Sequence, residues 1–393
     1  MSQLPKPAYR LTNLQPYGFA IIGQRIQTMT AAGKDVIRLD IGSPDLPPPQ
    51  PVIEALKQSA SNPAHHSYGS YTGDPGFRRA VADYYARRFG VPLDPATEVL
   101  PLIGSKEGLV NLSMAYLDRG DSAIVPDIAY PAYEAGALLA GASVITVHLD
   151  PANDFLPDLD SIPDDLSHAK MLWINYPNNP TGAVADIAFY EKAVAFCRDH
   201  NLLLCSDNPY CELVFDGYVA PSALQAAGAK DCTVEFMSMS KTYNMAGWRL
   251  GAAVGNHEAL QNLLRVKSNI DSGHWKPIYD AGIVALDTTP QSWIDERNAR
   301  YAARRERILA TLPSIGLEAF KSPASLYVWA RVLDGDDQYY VERALDEAQV
   351  AVTPGTMYGV GGAGHIRFSL GVAHDRLEEA LTRLRVWYQV KVV

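Results

Sequence analysis

Between about residues 98 and 256, six short β-rich runs alternate with segments of helical periodicity, and this alternation restricts the chain more than any other feature. The runs are AIVPD (123–127), SVITVHL (143–149), MLWINYP (171–177), LLLCSD (202–207), VEFMSMS (234–240) and LGAAVGN (250–256). Between the third and fourth, Asp186 stands where a helix N-cap belongs, and Ile187, Tyr190, Val194 and Cys197 share one helical face. A second helix is expected to start near Lys106, aligning Leu109, Leu112, Tyr116 and Leu117. Strands alternating with amphipathic helices predict an α/β domain whose mostly parallel sheet is covered on both faces.

The two ends read differently. Two long helices, QSWIDERNARYAARRERILATL (291–312) and YYVERALDEAQV (339–350), flank strand-like SLYVWARV (325–332), and strand-like HIRFSLGV (365–372) follows. This order suggests a smaller α+β domain. A chain of 393 residues divides into two or three domains at roughly 150 residues each. The expected division is a large domain over 46–284 and a small one built from both chain ends, 1–45 and 285–393, because the first segment has too little core of its own.

With 34 basic against 44 acidic residues the net charge is −10, and no dense basic run appears, which argues against nucleic acid or an anionic membrane as partner. No apolar stretch approaches the roughly 18 residues of a membrane span, and MSQLPKPAYR carries no signal-like apolar core. A cytoplasmic enzyme or binding protein is therefore expected. Cys197, Cys205, Cys211 and Cys232 form no CxxC pair and read as reduced core thiols.

In an open α/β sheet, ligands bind beyond the carboxyl ends of the strands. Three of the predicted strands run into polar groups there: Asn178-Asn179-Pro180-Thr181-Gly182, Asp207-Asn208-Pro209-Tyr210, and Lys241. Singly, these read as a β-turn, a helix cap and a solvated lysine. Together they fall on one rim.

The run Ser238-Met239-Ser240-Lys241-Thr242-Tyr243-Asn244-Met245-Ala246-Gly247-Trp248-Arg249 closely resembles the class I aminotransferases, pyridoxal-phosphate enzymes of fold type I. The resemblance spans essentially the whole chain. Its LIGSKEGLVNL (102–112), WINYPNNPTG (173–182) and KSNIDSG (267–273) runs are most similar to the LL-diaminopimelate and aspartate-type members. It implies that Lys241 is the amine that binds pyridoxal 5'-phosphate as a Schiff base, and that Asp207 partners the ring nitrogen. Asn179 and Tyr210 match the groups on the ring's 3'-oxygen, and Tyr130 the aromatic stacked on the ring. Gly104, Ser105 and Lys106, at a helix start, with Ser238, Ser240 and Arg249, would cradle the phosphate. Arg367 would clamp the substrate α-carboxylate, with the main chain of Gly42 close to it.

Tyr68, in HHSYGSYTGDPGFR (65–78), takes the place of a tyrosine that reaches the neighbouring subunit's phosphate, which implies a homodimer with shared active sites. Arg265 and Lys267 precede a segment that in the family lies beside the neighbour's site, and are candidates for reading a distal carboxylate. The activity implied is transfer of an amino group from an L-amino acid, such as LL-diaminopimelate or aspartate, to a 2-oxo acid such as 2-oxoglutarate, by a ping-pong route through pyridoxamine phosphate. A β-eliminating C–S lyase of the cystathionine type is the alternative on the same cofactor. His65-His66 lacks accompanying ligand spacing, so no metal site is expected. Gly359-Val360-Gly361-Gly362-Ala363-Gly364 satisfies G-x-G-x-x-G but precedes a strand-like run, so it reads as a flexible loop rather than a dinucleotide fingerprint.

Overall fold

The computed structural model describes residues 4–14, 16–163 and 165–392. Seven strands form the main sheet in the order Val99–Leu102, Gly251–Gly255, Thr233–Ser238, Leu203–Asp207, Ala169–Ile174, Ser122–Pro126 and Ser143–Val147. Of these, Gly251–Gly255 runs against both its neighbours, and the remaining pairs are parallel. Strand alternation sorts the core. Met171 and Trp173 face one hydrophobic cluster, together with Leu109 and Leu112 of the Ser105–Tyr116 helix. Leu172 and Ile174 face the other, against Tyr190, Val194 and Cys197 of the Ile187–Asp199 helix. Side chains of period two are thus buried on both faces, as a parallel sheet requires.

Asp186 caps its helix by accepting from the Phe189 N–H at 2.9 Å. Ile187, expected on the buried face, is instead 39% exposed. A helical side chain covers the turn before its own Cα, and at the first helical position there is no such turn. The fifth run also ends earlier than expected. Thr233–Ser238 is strand, and Met239–Thr242 is a single helical turn capped by Ser238, whose Oγ accepts from the Ser240 N–H at 3.2 Å.

C-terminal to this sheet, a four-stranded antiparallel sheet is ordered Thr353–Pro354, His365–Ser369, Tyr327–Val332 and Leu317–Ala319. Near the other end of the chain, Ile37–Arg38 pairs in parallel with Val350–Ala351, and Ile37 and Leu39 share a core with Tyr327, Ile366 and Phe368. The glycine-rich run is not a free loop. It forms a short 3-10 turn, Val360–Gly362, just after another at Gly355–Tyr358, and the Gly361 N–H donates to the Asp127 carbonyl at 3.1 Å. Glycine at 359 and 361 lets this close approach happen, since a Cβ at either would strike Asp127. Cys197, Cys205 and Cys211 are buried free thiols, and Cys232 is half-buried. Among the described residues no helix is long and apolar enough to cross a membrane.

Gly251 fixes how the Ser105–Tyr116 helix meets the sheet: a Cβ there would lie 2.7 Å from the Met237 carbonyl oxygen and 3.2 Å from the Ser105 nitrogen. Gly251→Ala should lower the unfolding free energy by about 1–3 kcal/mol through overpacking, read as an earlier urea midpoint at unchanged slope.

Candidate active site

The carboxyl ends of adjacent strands meet at one rim, and a cavity of about 230 Å³ opens there. Asp207 ends the Leu203–Asp207 strand, paired in register with Phe236 of the next strand, and that strand leads through Ser238 into the turn bearing Lys241. Lys241, Asp207, Asn179, Tyr210, Tyr130, Ser105, Lys106, Ser238, Ser240, Arg249, Gly42 and Arg367 all line the cavity. Fold and register bring together residues separated by more than three hundred positions.

Asp207 is 4% exposed, and its Oδ2 accepts from the Tyr133 hydroxyl at 2.7 Å. Its Oδ1 is buried with no hydrogen-bond partner among the described residues. Burial raises the carboxyl to about 7, opposed by the Tyr133 hydrogen bond and reinforced by Glu235. The Lys241 amine donates to the Gly42 carbonyl. Burial holds this amine down to about 7, and the charges of Arg367 and Arg249 push the same way. Near neutral pH the site therefore offers an amine with a large unprotonated fraction, the form that attacks a carbonyl carbon.

A phosphate cradle is visible in the backbone. Gly104, at φ +71°, precedes the Ser105–Tyr116 helix and provides no side-chain cap, so the first-turn N–H groups are left to another acceptor. A Cβ at Gly104 would collide with the Arg249 guanidinium, which packs directly over this helix start. Ser105, Ser238, Ser240 and Arg249 complete a set of donors suited to a phosphate. The orphaned Asp207 Oδ1 suits a protonated ring nitrogen. The donor set and the acceptor thus fit the two ends of pyridoxal phosphate.

Arg367 is 2% exposed and forms no ion pair among the described residues. Its Nη1 donates to Asn179 Oδ1 at 2.9 Å and its Nη2 to the Asp40 carbonyl at 2.7 Å, while Nε has no partner. The guanidinium lies 4.0 Å from the Tyr327 ring centroid. A buried cation without a carboxylate is costly, and a substrate carboxylate would relieve it. Gly42 is glycine for space: a Cβ would strike the Tyr327 hydroxyl. That hydroxyl is 3.0 Å from Tyr210 Oη.

Tyr68 does not join the cavity of its own chain and is 91% exposed. Lys267 departs from the sequence reading. It is buried, and its ammonium bonds Glu107 Oε1 and both Asp271 carboxylate oxygens at 2.8 Å, so it is committed to a structural cluster and does not reach the cavity. Arg265 is exposed. His65 bonds Ser59 Oγ at 2.7 Å, which gives its ring a structural partner. The cavity also takes in Tyr17, Phe19, Asn175, Pro209, Ala246 and Tyr327, which sequence reasoning missed. Asn175 stands at a strand end and was discoverable by the rule that found Asp207; it donates to the Asp207 carbonyl at 2.6 Å and accepts from the Asn179 N–H at 2.8 Å. Tyr17 and Phe19 come from the start of the Gly18–Ala31 helix, in the N-terminal segment. The Lys106 ammonium lies 3.9 Å from the Tyr17 ring centroid and 5.7 Å from that of Tyr130, rather than in open solvent.

A mostly parallel sheet with a lysine, a buried aspartate and an anion cradle at its carboxyl rim defines a pyridoxal-phosphate enzyme of fold type I. The profile of the family "Aminotransferase class I and II" matches residues 34–384, and the chain belongs to that family. It is 46% identical over 378 residues, 96% of this chain and 97% of the relative, to LL-diaminopimelate aminotransferase of Aquifex aeolicus. It is 48% identical over 381 residues, 96% and 98% of the two chains, to the enzyme of the same name from Dehalococcoides mccartyi. Among solved structures it resembles a probable N-succinyldiaminopimelate aminotransferase from Thermus thermophilus, with TM-score 0.88, 38% identity and coverage of 94% and 99%. The protein is a pyridoxal-phosphate-dependent aminotransferase that moves an amino group from an L-amino acid to a 2-oxo acid. These relatives support transfer and lend nothing to the C–S lyase alternative.

The raised carboxyl has a consequence for the cofactor-free protein. A folded-state value of about 7 against 3.8 means that Asp207 favours folding below the lower value, and that this contribution is lost as pH rises through the upper one. Asp207→Asn should therefore gain stability over wild type progressively between about pH 4 and pH 7 and hold a constant advantage above, measured by urea unfolding of cofactor-free protein.

Proposed function

We propose that the chain transfers the amino group of LL-diaminopimelate to a 2-oxo acid such as 2-oxoglutarate, as a cytoplasmic homodimer in which Lys241, Asp207 and Arg367 are the principal working groups. The observation that carries this reading is the convergence of an amine lowered to about 7, a buried carboxyl with an orphaned oxygen, and an unpaired buried guanidinium on one cavity. The names of the relatives support the diaminopimelate donor. Division of the chain into a large unit over 46–284 and a small one from both ends suits a site whose walls come from each.

Pyridoxal phosphate, when bound, supplies the aldehyde that takes up the amino group and the ring that accepts the electron pair released at Cα. Ser105, Ser238, Ser240, Arg249 and the helix start after Gly104 would hold its phosphate. Asp207 Oδ1 would accept from the ring nitrogen and keep it protonated. Tyr130, Asn179 and Tyr210 line the same cavity, where Tyr130 would stack on the ring and Asn179 and Tyr210 would bond its 3'-oxygen. Arg367 grips the α-carboxylate, which turns the Cα–H bond toward Lys241. The Lys241 amine, lining the same cavity, would take the proton released at Cα and hold it for return to the product. Lys106 is the lining cation left for the distal end of a dicarboxylic acid, since Arg367 and Arg249 have other partners and Lys267 is enclosed.

Borohydride should fix pyridoxal phosphate on the peptide containing Lys241, and Lys241→Ala should keep the cofactor but lose at least about 10²–10⁴-fold in turnover. An adduct on another lysine excludes the assignment. Glutamate formation from 2-oxoglutarate should be fastest with LL-diaminopimelate among amino donors. Release of pyruvate and ammonia from a cysteine conjugate at a greater rate would favour elimination.

The dimer reading is supported by Tyr68, Tyr71, Ile270 and Trp275, which are 91%, 56%, 59% and 41% exposed on neighbouring segments. The His66 and Trp275 rings lie 5.6 Å apart in a tilted contact, joining those segments into one face. Mixing inactive Tyr68→Ala and Lys241→Ala chains should restore partial activity, because one of the two sites in each heterodimer would carry neither defect. Verified heterodimers that stay inactive would place the action of Tyr68 within its own chain.

A further inference from the structure

Three arginines lie on the buried face of the Gln291–Thr311 helix, and one differs from the others. Arg304 pairs with Asp45 at 2.7 Å, and Arg305 with Asp216 at 2.7 Å. Arg297, 2% exposed, forms no ion pair among the described residues. Its donors go to main-chain carbonyls on two other elements. Nη1 donates to the carbonyls of Lys241, at 3.0 Å, and Thr242, and Nη2 to the carbonyl of Glu212 at 2.5 Å. Asn298 orients the fork, its Oδ1 accepting from Arg297 Nε at 3.2 Å and Nη2 at 2.9 Å, while its Nδ2 reaches the same Glu212 carbonyl at 2.9 Å.

These carbonyls are not arbitrary. Those of Lys241 and Thr242 end the helical turn Met239–Thr242, where the last carbonyls lack helical partners and carry the negative end of the local dipole. Glu212 follows Asp207 and Tyr210 in the segment leaving the central strand, and its carboxylate is already engaged by Tyr84 at 2.7 Å and Arg88 at 2.8 Å. One guanidinium thus fastens the main chain of Lys241 to the segment that follows Asp207, and both to a helix outside the main sheet. A planar fork can meet several carbonyls at once, whereas an ammonium meets them as a point charge.

We infer that Arg297 is a positioning residue for the transfer reaction: it fixes the backbone beneath Lys241 relative to the Asp207–Glu212 segment, and so aims the amine at the reacting carbon. It touches neither cofactor nor substrate. The inference rests on the reading of Lys241 as the amine that bonds the cofactor.

The test separates aim from binding. Cofactor-free protein is saturated with pyridoxal phosphate, and covalent capture is stopped at intervals with borohydride. Amine and aldehyde join with loss of one water, and borohydride reduces the resulting C=N bond to a stable adduct that is counted on the Lys241 peptide. Equilibrium dialysis of the same proteins with pyridoxine phosphate, which has no aldehyde, reports non-covalent affinity. Arg297→Lys and Asn298→Ala should slow capture by about 10-fold and Arg297→Met by about 100-fold, the scale on which a misplacement of roughly 1 Å acts, with affinity for the aldehyde-free analogue unchanged. Should Arg297→Met fail to fold, the milder pair decides. Capture at the wild-type rate in folded variants, or capture and analogue affinity falling together, would overturn the positioning role. A wild-type adduct on a lysine other than 241 would instead defeat the underlying assignment, so the two failures are distinguishable.

Discussion

An aspartate buried at the end of a central strand, with one oxygen unsatisfied, is the constraint on which the rest of the site depends. Asp207 ends a central strand of a sheet covered on both faces, where its side chain is buried, and the Tyr133 hydroxyl is the side-chain donor it has. A lone carboxyl so placed opposes folding at neutral pH. The arrangement makes sense when a cationic N–H completes it, and then the low dielectric that penalises the empty carboxyl strengthens the pair. Because parallel neighbours end at the same rim, the strand order that buries Asp207 also delivers Asn175 and the Lys241 turn beside it.

Charge around the cavity follows the same logic. Lys106, Lys241, Arg249 and Arg367 face a single carboxyl, on a chain whose overall charge is −10. The local excess of positive charge suits a phosphate and a carboxylate bound together. Beside burial, the larger cause, the charges of Arg367 and Arg249 also lower the Lys241 amine, so groups suited to anionic ligands help keep that amine unprotonated. Binding and reactivity are therefore coupled through electrostatics.

Much of this was legible in sequence because it obeys local rules. The six runs became strands, and strand-end polarity located Asp207, Asn179 and the lysine turn. Gly104 followed from its place before a helix start. Other features depend on long-range packing that no window shows. Met239 and Ser240 read as strand until the helical turn capped by Ser238 is seen. Tyr17 and Phe19 stand at the start of the Gly18–Ala31 helix and reach the cavity through how that helix packs, and Tyr327 enters because the antiparallel sheet abuts the rim. Lys267 read as a candidate for a distal carboxylate, but it is enclosed by Asp271, four residues on, and by Glu107 on a distant helix. The glycine-rich run looked mobile until Asp127 was found beneath it. The strongest signals came from residues that serve backbone geometry, and the weakest from side chains whose surroundings are assembled by the whole fold.

The central claim is that Asp207 supplies the missing acceptor for a protonated ring nitrogen, and the most direct measurement is the ¹⁵N chemical shift of ring-labelled pyridoxal phosphate bound to the protein. The account predicts a protonated nitrogen throughout pH 6–9 in the wild type, and an unprotonated one at the upper end of that range in Asp207→Ala. An unprotonated nitrogen in the wild type, or shifts that do not respond to loss of the Asp207 carboxyl, would contradict it.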